Sequence, residues 1–501
     1  MRSEKLFRPF IRLMFNSHCG GIRLDEVSLM KRIGALLLCG ILLLPAAGAS
    51  GTPWPAWAAE ALAWGREKSV SRAFLASPGQ RLTRGAVARL LYESAGQPAA
   101  HEECPFSDVS EKDAAAVGWA AGQGYLTGVG DGTYEPGRPV TRQEFAAILW
   151  RQAGTPEVPV QGLERFGDAG TVSEWARDAV LWCQQAGVMA GRSGDKLAPE
   201  DTITTAEALV MLERAAGLPD VGQLRDDLEI LAAHHRPVGS QGEADAVRYL
   251  RDRFEEMGYS VTLQPYTDGQ GRTGHNVAAV KAASVPDADI LVLSAHHDSV
   301  PTAYGANDNA SGVAALLYTA EALRNVPTDT EVRFLSFTDE ENGKNGSRTC
   351  TASLTEEERT RIVGAIQFDM LGGLGSTGTL VCTVDGEANW VSDLLQKKNP
   401  GLESGVETAS DHTSFQLSGI PAVLLMQRGR GYLYHSAADT AEQLDLYAIA
   451  AAADSAEAAA EEICSADTPS YRALAREQGE RSAYRQTRQN MIYFGSSRAD
   501  T

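Results

Sequence analysis

The sequence predicts two architectures on one chain: an N-terminal, all-α-rich repeat region, then an α/β domain whose mixed, largely parallel sheet carries helices on both faces. Three observations carry this expectation. A helix, glycine turn, threonine, helix pattern recurs three times before residue 218, and such self-similarity marks a repeat architecture. From about Leu218, apolar strand-like runs alternate with amphipathic helical patterns, as in a sheet covered on both faces. Two of those runs, Ile290–Ser294 and Val332–Phe337, end in bursts of His and carboxylate side chains, where open α/β sheets build their sites.

A chain of 501 residues predicts two to four domains, and 43% apolar residues suffice for sizeable cores. The net charge of −20 excludes a general nucleic-acid binder and charge-driven adhesion to anionic membranes. From Met30 the chain reads MKRIGALLLCGILLLPAAGAS: Lys31 and Arg32, a short apolar core Gly34–Leu44, and an A-x-A pattern at Ala47–Ala49. This predicts an export signal within residues 1–49, translation from Met30 and cleavage after Ala49. The apolar run is shorter than the ~20 residues of a membrane span, so no stable span is expected in the mature chain. Cys39 lacks the small residues that precede a lipidated cysteine. Beyond the signal, Cys104, Cys183, Cys350, Cys382 and Cys464 are scattered and read as buried small hydrophobes; a Cys350–Cys382 bridge stays open.

The repeats fall at 57–96, 106–154 and 166–217, within a region 57–217. Each has an Ala-rich helix carrying Trp64, Trp119 or Trp182, and a second helix behind a Thr N-cap at Thr83, Thr141 or Thr204. The tryptophans are expected to pack helices together. TRQEF at Thr141–Phe145 and GDGTYEP at Gly130–Pro136 resemble the S-layer homology module. The resemblance implies attachment to pyruvylated secondary cell-wall polysaccharide of a Gram-positive-type envelope, with Arg142 and Arg84 as the polysaccharide contacts. The third copy has Thr205 there, which implies a weaker pocket. A guanidinium suits an anionic sugar because it makes paired, charge-assisted hydrogen bonds.

The α/β domain is expected over 221–465, with a polar tail at 466–501. Leu224–Leu231, Ala244–Met257 and Asn309–Leu323 read as helices; Gly258–Gln264, Asn276–Lys281, Val363–Phe368 and Pro421–Met426 read as further strands. Alternation puts His296 and Asp298 on one strand face and His297 on the other. One of the first pair can bind metal while a carboxylate partner orients an imidazole. Asp308, in the tight loop GANDNASG, can bridge two ions. Glu340 and Glu341 are adjacent and must divide their roles. Asp369 follows the strand in AIQFDMLGG, and His435 sits in YLYHSAADTAEQLD.

Taken in order, HxD, GAxDNxSG, EExGxxGS, a strand-end Asp and a late YH resemble the co-catalytic di-zinc aminopeptidases, the group of secreted bacterial leucyl aminopeptidases and glutamate carboxypeptidase-like peptidases. The resemblance implies two Zn2+ per chain. One is held by His296 and Asp369, the other by Glu341 and His435, with Asp308 bridging. It also implies Asp298 as the orienter of His296, Glu340 as general base, and Tyr434 as an aid to the oxyanion. Two divalent ions ~3.5–4 Å apart can share a water and bring its pKa toward neutrality. The loop EENGKNGS departs from relatives at Lys344 and Asn345. His412 is expected to lie behind the ligands or toward the substrate, and His234, His235 and His275 to be surface or structural.

The resulting expectation is a secreted, cell-wall-anchored metallopeptidase that removes N-terminal residues from peptides. The alternatives are a glutaminyl cyclase-like single-zinc enzyme, a carboxypeptidase or dipeptidase on the same fold, or a non-enzymatic envelope protein whose repeats do the work.

Overall fold

In the computed structural model, residues 53–98, 103–156, 158, 162–192, 195–373, 376–429, 431, 433–464 and 471–479 are described. The expected export signal, with Met30 and Ala49, lies outside them, as does most of the tail.

Within the repeats the helices are α1 (Ala59–Glu67), α2 (Arg72–Leu75), α3 (Arg84–Ser94), α4 (Glu111–Gly122), α5 (Arg142–Gln152), α6 (Arg177–Gln185) and α7 (Thr205–Ala216). Thr83, Thr141 and Thr204 each cap the second helix of a copy. At the last two, Glu144 and Glu207 return the bond to the cap amide, which satisfies orphan donors at both ends of a capping box. The residues just before the caps close a ring. Leu82 N–H donates to Ile203 O (3.0 Å), Ile203 N–H to Val140 O (2.9 Å) and Val140 N–H to Leu82 O (3.0 Å). Each copy's cap segment therefore hydrogen-bonds to the other two, and three is the number that closes the ring. Trp182 is buried in the repeat core, with Trp64 and Trp119 packed against it.

The α/β domain adds α8 (Gly222–Leu231), α9 (Gln241–Glu256), β1 (Ser260–Thr267), β2 (Thr273–Lys281), β3 (Ile290–His296), α10 (Ser311–Leu323), β4 (Glu331–Phe337), α11 (Asn345–Ser353), α12 (Glu356–Arg361), β5 (Ile362–Phe368), β6 (Thr379–Thr383), α13 (Trp390–Lys398), β7 (Glu403–Val406), α14 (His412–Leu417), β8 (Ala422–Gln427) and α15 (Leu446–Cys464). The strand order is β1-β2-β4-β3-β5-β8-β6-β7. The β4–β3–β5–β8 run is parallel, as is β6–β7, while β1–β2, β2–β4 and β6–β8 are antiparallel. Every residue of β3, β5 and β8 is buried, which is why those strands read as continuous apolar runs. This is the mixed, largely parallel sheet that the sequence predicts.

Three details differ from expectation. The strands β6 and β7 were not anticipated: one is five residues long, and the other, ESGV, is a partly exposed edge without an apolar pattern. The helix expected from Asn309 starts at Ser311, because Ala306–Ala310 forms an irregular turn. The domain also extends past 465. Residues 472–479 are helical, Tyr471 stacks on Trp390 with centroids 4.3 Å apart, and Ala475 joins the core.

The repeat core and the main sheet core are separate clusters. Tyr447 on α15 meets both, and its hydroxyl lies 3.1 Å from Trp182 Nε1. The cysteines at 104, 183, 350, 382 and 464 are all free. Among the described residues no helix is long and apolar enough to cross a membrane.

Candidate metal centre

The parallel strands β3 and β4 are neighbours, with His296 in register with Phe337, so their C-terminal ends release the chain side by side. Asp298 exploits this. Its Oδ1 lies 3.3 Å from His296 Nδ1 and accepts the Glu340 N–H (3.0 Å), while Oδ2 accepts the Glu341 N–H (3.2 Å). One carboxylate thus positions an imidazole and the backbone of both glutamates. His297 faces the other way, with Nδ1 3.0 Å from Ser336 Oγ and Nε2 3.8 Å from Glu243.

Asp308 is presented by the turn after Gly305. Gly305 has φ of 62°, and a Cβ there would lie 2.3 Å from Asp308 O, so only glycine fits. Asp439 accepts the N–H groups of Asn307 (2.7 Å) and Asp308 (3.2 Å). Arg236, buried to 1% exposure, donates to the carbonyls of His297, Tyr304 and Gly305. Asn309 Nδ2 donates to Phe368 O (2.9 Å), tying the turn to the end of β5. There Ser410 Oγ donates to Asp369 Oδ2 (2.7 Å), which leaves Oδ1 3.5 Å from His296 Nε2. Glu341 Oε1 accepts the Val300 N–H (3.2 Å), and Oε2 lies 3.0 Å from His435 Nε2.

Two triads result: His296, Asp308 and Asp369, and Asp308, Glu341 and His435, the ligand atoms of each lying within 4.8 Å of one another. Asp308 joins both, with Oδ1 3.3 Å from His296 Nε2 and Oδ2 3.2 Å from His435 Nε2. His296 Nε2, Asp369 Oδ1 and His435 Nε2 are buried without a hydrogen-bond partner. Buried polar atoms are rarely left so, and these converge on common points.

The electrostatics ask for positive charge. Burial pushes Glu340 well above the usual carboxylate range, with Asp411, Asp369 and Asp298 adding to it against His296. Glu341 is pushed up to about 8 by burial and by Asp308. Asp308 is held well below its ordinary value, because His296 and His435 outweigh its burial. Burial works against a charged His296, yet Asp369, Asp298 and Asp308 raise it well above the ordinary imidazole range. Histidine and carboxylate donors of this kind fit zinc or a similar divalent ion.

Tyr434 stacks on the His435 ring, centroids 3.7 Å apart, and lines the cleft beside Asp308 and Glu340. His412 lies outside both triads; its Nε2 donates to Glu407 O (2.9 Å). His235 rests against Tyr304. Lys344 takes a left-handed turn conformation just before α11.

Arg142 is 4% exposed and donates to Leu197 O, Ala190 O and Glu207 Oε1, a clamp between the second and third copies. Arg84 makes the matching clamp to Tyr134 O and Thr127 O. Arg84 remains part-exposed, though, and lines a cavity of about 240 Å³ with Arg138, Arg151 and Trp175. Sequence reasoning passed over Asp439, Ser410 and Arg236. Asp439 stands four residues after His435 in the same acidic segment, and that proximity was its only signal.

Residues 276–460 match peptidase family M28, and residues 105–146 and 165–209 match the S-layer homology domain. The first copy lies outside those matches but completes the ring of cap segments. The chain is 34% identical over 169 residues to aminopeptidase YwaD of Bacillus subtilis (strain 168), covering 32% of this chain and 36% of that protein. It is 32% identical over 209 residues to leupeptin-inactivating enzyme 1 of Streptomyces exfoliatus, covering 39% and 45%. The chain thus spans less than half the length of these curated relatives. Among solved structures, BSAP, a zinc aminopeptidase from Bacillus subtilis, matches at 18% identity and a TM-score of 0.48, over 51% of this chain and 98% of that one.

Proposed function

From an M28 peptidase region joined to S-layer homology domains, we propose that the chain is a secreted, cell-wall-anchored zinc aminopeptidase that takes two ions. The observation that carries the catalytic reading is the pair of triads sharing Asp308, with Glu340 beside them. Ions held by His296, Asp308 and Asp369, and by Asp308, Glu341 and His435, would activate a water and polarise the scissile carbonyl. The chain's own residues do the rest. Glu340, buried and of raised proton affinity, takes the proton of the attacking water and returns it to the leaving amine. Asp298 holds the Glu340 backbone and the His296 ring in one geometry. Tyr434, over His435, offers its hydroxyl to the developing oxyanion.

Anchoring rests on the repeats. The cavity is lined by Arg84, Arg138 and Arg151, with Glu144 paired to Arg138, and its excess of guanidinium groups suits an acidic polysaccharide, with Trp175 exposed at its edge.

Metal analysis beside an aminoacyl-p-nitroanilide panel tests the reading. Two ions per chain and release of p-nitroaniline are expected, and Glu340→Ala should keep the metal and lose hydrolysis. Retained hydrolysis in that variant defeats the assignment. One ion per chain with pyroglutamate formation from N-terminal Gln peptides would favour the cyclase instead, and cleavage of N-blocked peptides a carboxypeptidase. Failure of the full chain to pellet with purified cell walls removes the anchoring claim.

A further inference from the structure

A third carboxylate, Asp339, stands directly before the proposed base in the run Asp339-Glu340-Glu341, yet it belongs to neither triad. It is fully buried. Its Oδ1 accepts from Asn342 Nδ2 (2.6 Å) and its Oδ2 from Asn345 Nδ2 (2.8 Å). Each oxygen thus holds one asparagine of the loop that carries Glu340.

The backbone closes around the same residue. Asp339 (φ 55°) and Lys344 (φ 62°) are both left-handed, a conformation that aspartate tolerates better than most residues. Between them Glu340 O accepts the N–H groups of Gly343 and Lys344, both at 2.7 Å, and Asn345 N–H donates to Asp339 O (3.0 Å). Asn276 of β2 fastens the base of the loop: it accepts the Thr338 N–H (3.0 Å) and donates to Gly346 O (2.9 Å).

The two glutamates depend on this loop to different degrees. The Glu341 carboxyl is tied to the Val300 N–H (3.2 Å). Among the described residues no protein group hydrogen-bonds to the Glu340 carboxyl, so its place follows from its main chain. Asp298 holds the Glu340 N–H, and Asp339 holds the turn that leads out of Glu340. We infer that Asp339, through Asn342 and Asn345, is a positioning residue for Glu340, setting where the base stands and leaving ion binding to the ligands themselves. The inference rests on the aminopeptidase reading, with Glu340 as base.

The test is steady-state kinetics, Tm and metal content of the full, metal-loaded chain, on the aminoacyl-p-nitroanilide the parent cleaves best. Asp339→Gly keeps the left-handed backbone accessible and removes the carboxylate. Its kcat should fall about 10- to 100-fold, since misplacing a reacting group by ~1 Å costs on the order of 100-fold. KM and ions per chain should stay at the parent's values. Asp339→Asn tolerates the same backbone and can pair with both asparagines once one amide rotates, so it should recover most of the rate. Asn345→Ala leaves both left-handed residues in place and should show the same fall in kcat at constant KM. Combined with Asp339→Gly it should add little, because the two changes break one cluster. It also carries the test if Asp339→Gly does not fold. An unchanged kcat per metal-loaded chain, even with a lowered Tm, assigns Asp339 to stability alone and overturns the inference. Loss of ions in step with activity, or additive losses in the double variant, also overturns it. A parent that cleaves no aminoacyl-p-nitroanilide overturns the aminopeptidase reading and this inference with it.

Discussion

Asp298 Oδ1 accepts the backbone N–H of Glu340 at 3.0 Å while lying 3.3 Å from His296 Nδ1. The orienter of the imidazole is therefore also the group that sets where the proposed base stands. Asp298→Ala should lower both metal affinity and kcat. Loss of such an outer partner typically costs 10–100-fold in affinity or activity. Glu340→Gln should spare metal affinity. Titration with a chromogenic chelator and steady-state kinetics separate the two variants; equal metal affinity in Asp298→Ala and the parent would refute the dual role.

Gly305 holds the turn that presents Asp308. In Gly305→Ala the new Cβ meets Asp308 O at 2.3 Å and Ser299 Cβ at 2.6 Å, at a φ of 62°. The backbone must shift, at a cost of at least ~1–3 kcal/mol, and Asp308 shifts with it. Thermal unfolding should show a lower Tm, and metal analysis a loss of both ions rather than one, because Asp308 is common to both triads.

Removing metal should destabilise the domain as well as silence it. Without cations, the buried Glu340 and Glu341 hold protons against their ordinary tendency. Ligands that bind the folded state alone stabilise it by mass action. Dialysis against EDTA should lower Tm, and zinc should restore it; a Tm insensitive to chelation would mean the triads hold no ion.

The acid side of stability should depend on His412. Its folded pKa, pushed down to about 4 by burial, is below that of the unfolded imidazole. As pH falls from ~6.5 toward 4 the unfolded chain binds a proton that the folded chain refuses, so the stability present above pH ~6.5 is lost through that window. The full effect is on the order of 3 kcal/mol. His412→Gln keeps a donor for Glu407 O and has no proton to gain, so its urea midpoint should vary less between pH 6.5 and 4.

Arg142 should matter for folding and not for wall binding. Arg142→Met breaks a buried pair and strands the carbonyls of Leu197 and Ala190, at a cost of about 3 kcal/mol. Below its lowered Tm the variant should still pellet with cell walls. Arg84→Met should lose wall binding as well, because that side chain also lines the cavity.

Much of this protein was legible in one dimension because burial on both faces leaves continuous apolar runs. The strands β3, β5 and β8 could be read off for that reason, and β4 from its apolar C-terminal half, together with the polar residues His296, Asp298, Glu340, Glu341 and Asp369 that follow β3, β4 and β5. Threonine caps and glycine turns announced the repeats in the same way, since capping chemistry is local. The short edge strands β6 and β7 were not legible, because a strand held only by its neighbours needs no pattern of its own.

What the amino-acid sequence by itself determined was the set of elements and the chemistry delivered at their ends. Tertiary structure alone decided which side chains converge as candidate ligands and which serve carbonyls. Arg142 reads like Arg84 in sequence, yet packing of the third copy buries its guanidinium. Asp439, Ser410 and Arg236 carry no signal strong enough to select them, yet they hold the candidate ligands in place. Their partners lie 132, 41 and 61 residues away along the chain for the Asn307, Asp369 and His297 contacts. A hydrogen bond over such a separation is set by the meeting of strand ends and loops, which local patterns do not encode.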